Sequence, residues 1–487
     1  VRAAGKRASL FSSGLLLFSL LFSTPASGER AEGFDAEEIT DFVASQMRAF
    51  RIPAAAVGIV RGDRVVYLRG FGNADGAGRP VTPQTPFLIG SNSKSLTALA
   101  VMQLVESGEV VLDAPVRSYL PWFRLKDEAA SGSVTVRQLL NQTSGLPAGA
   151  EFAPEGSDNY AHHAAELRRV GLSHPPGRSF EYSDLNYELL GLLVEAVAGE
   201  PYDAYVHEHV LEPLAMDSTY LTYEGARAHG LARGYRYLFG LPVPAETPRY
   251  APHSVPAGGV ATTAEDFCHF LIAQLNGGAY AGRSVLNQEG VALMHEPRRD
   301  LGSTYAMGWF VEEWDGLESV NHMGMNETFS SMINLLPREG YGVVVLTDVN
   351  SFSILGRENL MDGIVRRLAG LQRVSYWDEE LCLRLLLLAV LLFGLARLAA
   401  RLRSWRGLGY PLALRVQGGV ALALACGLLM VAVWLVVVPL YADACLSELL
   451  ELQPDIGYGV ICGALLSVSN SILGALARSA RAPGSLP

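Results

Sequence analysis

Lysine occurs three times in 487 residues, at Lys6, Lys94 and Lys126, while the other 35 of the 38 basic residues are arginine. Lys94 closes the tetrad Ser91-Asn92-Ser93-Lys94. A guanidinium stays protonated in water and cannot act as a base, whereas an ammonium gives up its proton where its surroundings favour the amine. Serine and lysine three residues apart share one side of a helical turn, which puts a base beside a nucleophile. The chemistry this allows is acyl transfer through a serine ester. The same four residues also suit a solvated helix start, and Ser-x-x-Lys arises by chance in unrelated chains, so the surrounding elements have to decide.

After Pro86-Phe87-Leu88-Ile89-Gly90 the pattern becomes helical over 91–107, with Leu96, Leu99, Val101, Leu104 and Val105 on one buried face. Ser91 then stands at a helix N-terminus, where the dipole favours a developing alkoxide. Upstream, 54–60 and 65–72 read as two strands around the turn Arg61-Gly62-Asp63-Arg64. Downstream, 136–142, 161–171 and 186–198 read as helices separated by turns such as His174-Pro175-Pro176-Gly177, and 222–256 as loop. A helix over 264–275, strands over 330–336 and 341–347, and an amphipathic helix over 358–368 follow. The fold class expected is α/β: an antiparallel sheet built from both ends of the domain, flanked by helices, with an inserted all-helical lobe.

Four more segments carry information: Leu139-Leu140-Asn141-Gln142-Thr143-Ser144-Gly145-Leu146-Pro147; Phe180-Glu181-Tyr182-Ser183-Asp184-Leu185-Asn186-Tyr187 before a helix; Pro256-Ala257-Gly258-Gly259-Val260-Ala261-Thr262-Thr263-Ala264-Glu265-Asp266; and Asn321-His322-Met323-Gly324-Met325 before a predicted strand. Alone, Tyr182 reads as a buried aromatic, His322 as a core histidine and Gly324 as a turn glycine. Together with Ser91 and Lys94, in this order over about residues 35–370, they resemble the serine β-lactamase-like family, nearest its class C β-lactamase, D,D-peptidase and esterase branch. The resemblance implies a β-lactamase/transpeptidase-like fold. It implies that Ser91 is the acylated nucleophile, Lys94 its paired base and Tyr182 the proton relay, for which Lys94 has to stabilise a phenolate. His322 would line the site and hydrogen-bond Tyr182 or the substrate, and Gly324 would let the substrate backbone approach its strand. The backbone N–H groups of Ser91 and Met325 would form the oxyanion hole.

Two positions depart from the family pattern. Asp184 stands where an amide often contacts the substrate's acylamide, and His322 replaces the lysine that efficient β-lactamases of this kind turn toward the substrate carboxylate. Both changes favour a peptidase or esterase over an antibiotic-degrading enzyme. Met325 and Asn326 are larger than the residues common there and are expected to narrow the site.

The remaining composition bounds location and partners. Basic residues 1–7, an apolar run over 10–22 and the small residues 23–28 read as an export signal, 1–28. The hydrolase domain is placed at 29–375, with membrane spans at 381–400, 417–441 and 456–477. Arg401, Arg403, Arg406 and Arg415 lie between the first two spans, with Arg397 at the end of the first, and Asp443, Glu448, Glu451 and Asp455 lie between the last two. The positive-inside tendency then puts the C-terminus in the cytoplasm and the catalytic domain outside, in a multi-pass protein of a bacterial cell membrane. Residues 29–380 hold 27 Lys and Arg against 45 Asp and Glu, a net of −18, which argues against nucleic acid as a partner. Cys268 is alone in that domain, so no disulfide closes within it, and no His or Cys spacing suits a metal. The expectation is a membrane-anchored, cofactor-free serine hydrolase. It would act on an ester or amide, either a D-amino-acid peptide of the cell wall or a small ester, with weak β-lactam hydrolysis as a side activity. The alternatives are a penicillin-recognising sensor and a non-catalytic membrane scaffold.

Overall fold

The first described element of the computed structural model is α1 (Ala36–Phe50), which buries Ile39, Phe42, Val43, Met47 and Phe50 along one face. The structure describes residues 35–372 except 151, 153–159, 239 and 351–359, with isolated positions at 385–396 and at 461. After α1 come β1 (Ala54–Arg61) and β2 (Arg64–Gly72), joined through Gly62 at a φ of +57°. The two-residue β3 (Phe87–Leu88) leads through a 3₁₀ turn, Gly90–Asn92, into α2 (Ser93–Glu106).

The helical lobe holds α3 (Glu128–Ser131), α4 (Val136–Leu140), α5 (Tyr160–Leu167), α6 (Asp184–Ala198), α7 (Tyr202–Val206) and α8 (Tyr223–Ala228). Thr135 starts α4 with a capping box to Gln138, and Gly199 ends α6 in the left-handed conformation. The chain then returns through the hairpin β4 (Tyr235–Leu238) and β5 (Leu241–Pro244), the short β6 (Ala261–Thr262) and α9 (Ala264–Leu275). A second hairpin, β7 (Ala279–Tyr280) and β8 (Arg283–Ser284), precedes α10 (Gln288–Met294). The last strands are β9 (Phe310–Trp314), β10 (Leu317–Met325), β11 (Ser330–Leu336) and β12 (Tyr341–Thr347), followed by α11 (Leu360–Leu368).

Six strands form one antiparallel sheet in the order β2-β1-β12-β11-β10-β9. Both ends of the domain therefore meet at β1 and β12, as the sequence predicts. β1 is buried on both faces, which explains its run of small and β-branched residues. A Cβ at Gly58 would overlap Cys268 Sγ of α9, while α11 packs on β12 and against α1, where Gly363 leaves room for the Phe42 ring.

The structure adds to and corrects the sequence reading. The 321–325 segment comes directly before the predicted strand at 330–336, now β11, and itself lies in a strand, β10; β9 is a further strand. Acidic residues such as Glu312, Glu313 and Glu318 break the apolar alternation that would have marked both. Helix α2 is buried all round rather than on one face: Ser93, Lys94, Ser95 and Thr97 are as inaccessible as Leu96 and Leu99. The stretch 222–256 contains α8 and the β4–β5 hairpin. Among the described residues no helix is long and apolar enough to cross a membrane. The expected export signal and, apart from isolated positions, the expected spans at 381–400, 417–441 and 456–477 lie outside those residues.

Candidate active site

The turn that carries Ser91 is held from two sides. β3 pairs with β6, Ile89 N donates to Val260 O at 3.0 Å, and Val260 N donates to Ser93 Oγ at 3.1 Å. On the other side Ser331 Oγ, on β11, donates to Ile89 O and accepts from Asn92 Nδ2, both at 2.6 Å. Two glycines permit this approach. Gly90 has a φ of +51°, and a Cβ on it would sit 2.5 Å from Met325 N. The Met325 amide thus lies beside the residue preceding Ser91. A Cβ on Gly324 would overlap Ile89 O and lie 2.9 Å from Asn92 N. The space at Gly324 is taken by the serine-bearing turn.

Lys94, the second residue of α2, is 0% exposed. Its Nζ reaches Ser91 Oγ at 3.1 Å, Ala257 O at 2.7 Å and Asp184 Oδ1 at 2.6 Å. It also lies over the face of Tyr182, 4.9 Å from the ring centroid, and 5.7 Å from that of Tyr187. Ala257 belongs to the Pro256–Asp266 segment, so three separate stretches of sequence converge on the Lys94 nitrogen.

Tyr182 is brought to Ser91 by the loop after α4. Gln142, buried and at a φ of +56°, accepts from Glu181 N through its own carbonyl at 2.9 Å. Its side-chain Oε1 accepts from Ser183 N at 3.0 Å and from Asn186 Nδ2 at 2.5 Å. Burial pushes the Tyr182 phenol well above its ordinary pKa, the Asp184 carboxylate adds to the rise, and the contact with Ser91 offsets only part. Tyr182 is therefore a neutral phenol at physiological pH, poised to donate.

His322 lies one ring further away. Its Nδ1 donates to Met323 O at 2.7 Å, which leaves Nε2 as the acceptor, 3.4 Å from the Tyr305 hydroxyl. Its ring centroid is 6.2 Å from that of Tyr182 and 5.4 Å from that of Phe310. Burial, helped by the nearby Lys94 and partly opposed by the Met323 carbonyl, pushes its pKa down to about 3. At neutral pH His322 carries no charge. Asn326 is buried and accepts from Thr328 N and Phe329 N, closing the β10–β11 turn.

The geometry is that of a serine paired with a buried lysine and a phenol, next to the Met325 backbone, on a mixed sheet-and-helix frame. The model of the family described as Beta-lactamase matches residues 39–357. This chain belongs to the beta-lactamase family. Protein flp of Staphylococcus aureus (strain MW2) is 31% identical over 319 residues, 65% of this chain and 63% of the relative. Unguisins hydrolase ungD' of Aspergillus campestris (strain IBT 28561) is 30% identical over 328 residues, 63% of this chain and 60% of the relative. The chain thus spans under two thirds of the length of these relatives. Among solved structures, an octameric penicillin-binding protein homologue from Pyrococcus abyssi superposes with a TM-score of 0.56 at 28% identity, over 65% of this chain and 74% of that one. A class C beta-lactamase gives 0.59 over 70% and 97%, and at 20% identity this is a likeness of fold.

Ser91, Lys94, Tyr182 and Asp184 are brought together, with Met325 present through its backbone and His322 behind Tyr182. Sequence reasoning did not find Gln142 as the clamp of the Tyr182 segment, nor the Ala257 carbonyl as an acceptor for Lys94. Both lie in motifs quoted for the family, and a buried amide in Leu139–Pro147 was the available signal for the first.

Proposed function

We propose that this beta-lactamase-family chain is a serine hydrolase that works through an acyl-enzyme on ester or amide bonds, with peptidase or esterase chemistry ahead of efficient β-lactam hydrolysis. The observation that carries this reading is the fully buried Lys94 Nζ at 3.1 Å from Ser91 Oγ. In the proposed cycle Ser91 Oγ attacks the carbonyl carbon and its proton passes to the amine form of Lys94. The resulting ammonium is held by Asp184 and the Ala257 carbonyl, while the Ser91 and Met325 amides stabilise the oxyanion. The leaving group takes a proton from the Tyr182 phenol, which Lys94 replenishes. Water then attacks the ester and the same transfers run in reverse.

We further infer that the domain is exported and tethered to a membrane by the apolar stretches beyond residue 380. The support is the arginine-rich loop between the first two stretches and the acidic loop between the next two. The tests are direct. Mixed with a chromogenic acyl ester, the protein should release chromophore and show a transient mass increase of one acyl group, lost in Ser91→Ala. A permanent adduct would favour a sensor, and no adduct at all would sink the hydrolase reading. Protease treatment of sealed cells should remove the catalytic domain but spare the C-terminus; the opposite pattern would reverse the topology.

A further inference from the structure

The charge that Asp184 brings to the site has a direction. Lys94 is fully buried and surrounded by three acceptors, whereas the Asp184 side chain is 46% exposed. The charge an incoming substrate meets beside Ser91 is therefore the carboxylate, not the ammonium beneath it. Asp184 Oδ1 faces Lys94 at 2.6 Å, and the bridge does not use Oδ2. Across the site His322 is neutral at physiological pH and cannot hold an anionic group. The acidic balance of residues 29–380 adds a field of the same sign. A carboxylate in the first turn of α6 also complements the helix dipole, but that benefit requires no contact with Lys94.

We propose that Asp184 makes this a site for acyl groups bearing a cationic amine next to the scissile carbonyl, and one that turns away substrates with a carboxylate there. The inference rests on the serine hydrolase reading above. Once Ser91 reaches the carbonyl carbon, an amine on the adjacent carbon lies within a few bonds of Oγ, on the scale of the Lys94 bridge to Asp184. A charge-assisted hydrogen bond from that ammonium to Oδ2 then anchors the acyl side.

The experiment compares p-nitroanilides of alanine, N-acetylalanine and N-succinylalanine, as both enantiomers, on the full chain. Wild type should prefer the free ammonium over the acetyl form by about 10-fold or more in kcat/KM, with the succinyl form poorest. Asp184→Asn should erase most of that preference, and Asp184→Glu should retain part of it. Equal loss on all three substrates in Asp184→Asn, or a wild-type preference for the succinyl form, would overturn the proposal. If Asp184→Asn does not fold, the wild-type ammonium-to-acetyl ratio should still fall between 0.05 and 1 M salt, because a half-exposed carboxylate is screened; an unchanged ratio counts against the idea. An uncharged phosphonate ester that labels Ser91 separates the two layers. Labelling without a charge order rejects only this inference, and no labelling rejects the hydrolase reading with it.

Discussion

The two walls that meet at Ser91 differ in kind. The wall facing the helical lobe holds Lys94 and Asp184 in contact, with Tyr182 beside them, and every role it is assigned moves a proton or presents a charge. The wall on the sheet side holds His322, Tyr305 and Phe310 as packed rings, with one imidazole nitrogen bonded to the Met323 carbonyl and the other facing the Tyr305 hydroxyl. The difference shows that a titratable residue type does not by itself make a titrating site. Lysine at the bottom of a buried helix is given a carboxylate, while histidine between aromatic rings is stripped of its proton.

Changes on the charged wall should have the largest effect. Lys94→Arg keeps a cation near Asp184 but removes the amine assigned as the base for Ser91, so kcat should fall by about 10²–10⁴-fold while the adduct still forms slowly. Steady-state and single-turnover kinetics would measure it, and an arginine variant with wild-type turnover would break the contrast between the walls. Next comes the seam where the walls are joined. Gly324→Ala drives a methyl into the Ile89 carbonyl and should cost about 3 kcal/mol of stability, read by thermal or urea unfolding.

The smallest effect on catalysis belongs to the aromatic wall. His322→Gln should leave the shape of kcat/KM against pH unchanged between pH 5 and 9, since His322 is already neutral there. Its effect appears in acid stability instead. The folded-state pKa of about 3 lies below the unfolded value near 6.5, so the unfolded chain binds the extra proton between those limits. Wild type should lose stability as pH falls from about 6.5 toward 3, and His322→Gln should lose less over the same window. A pH–rate limb near 6.5 that disappears in the variant would instead make His322 an acid–base participant.

Much of the frame was legible because its signals are local. Residues 264–275 show the helical period, and the strands at 54–60 and 341–347 are apolar throughout, so each appears where expected. β9 and β10 were harder, since their exposed acids hide the alternation and their identity as strands depends on pairing with β11. The site divides the same way. Ser91 and Lys94 are joined by one turn of helix, and Tyr182 and Asp184 by two residues. Gln142 acts on Tyr182 across a separation in sequence that no period encodes.

The order of residue types along the chain determined by itself that a serine, a lysine and a tyrosine would share one site, and that an aspartate would replace an amide beside them. Only the tertiary structure decided what charge each carries and which of them faces solvent. Those properties come from burial and from partners supplied by distant segments: the Ala257 carbonyl, the Met323 carbonyl, and the sheet that closes over Gly90 and Gly324. Desolvation and Coulomb interactions depend on distances in space, and these are set only when the two ends of the domain join in one sheet.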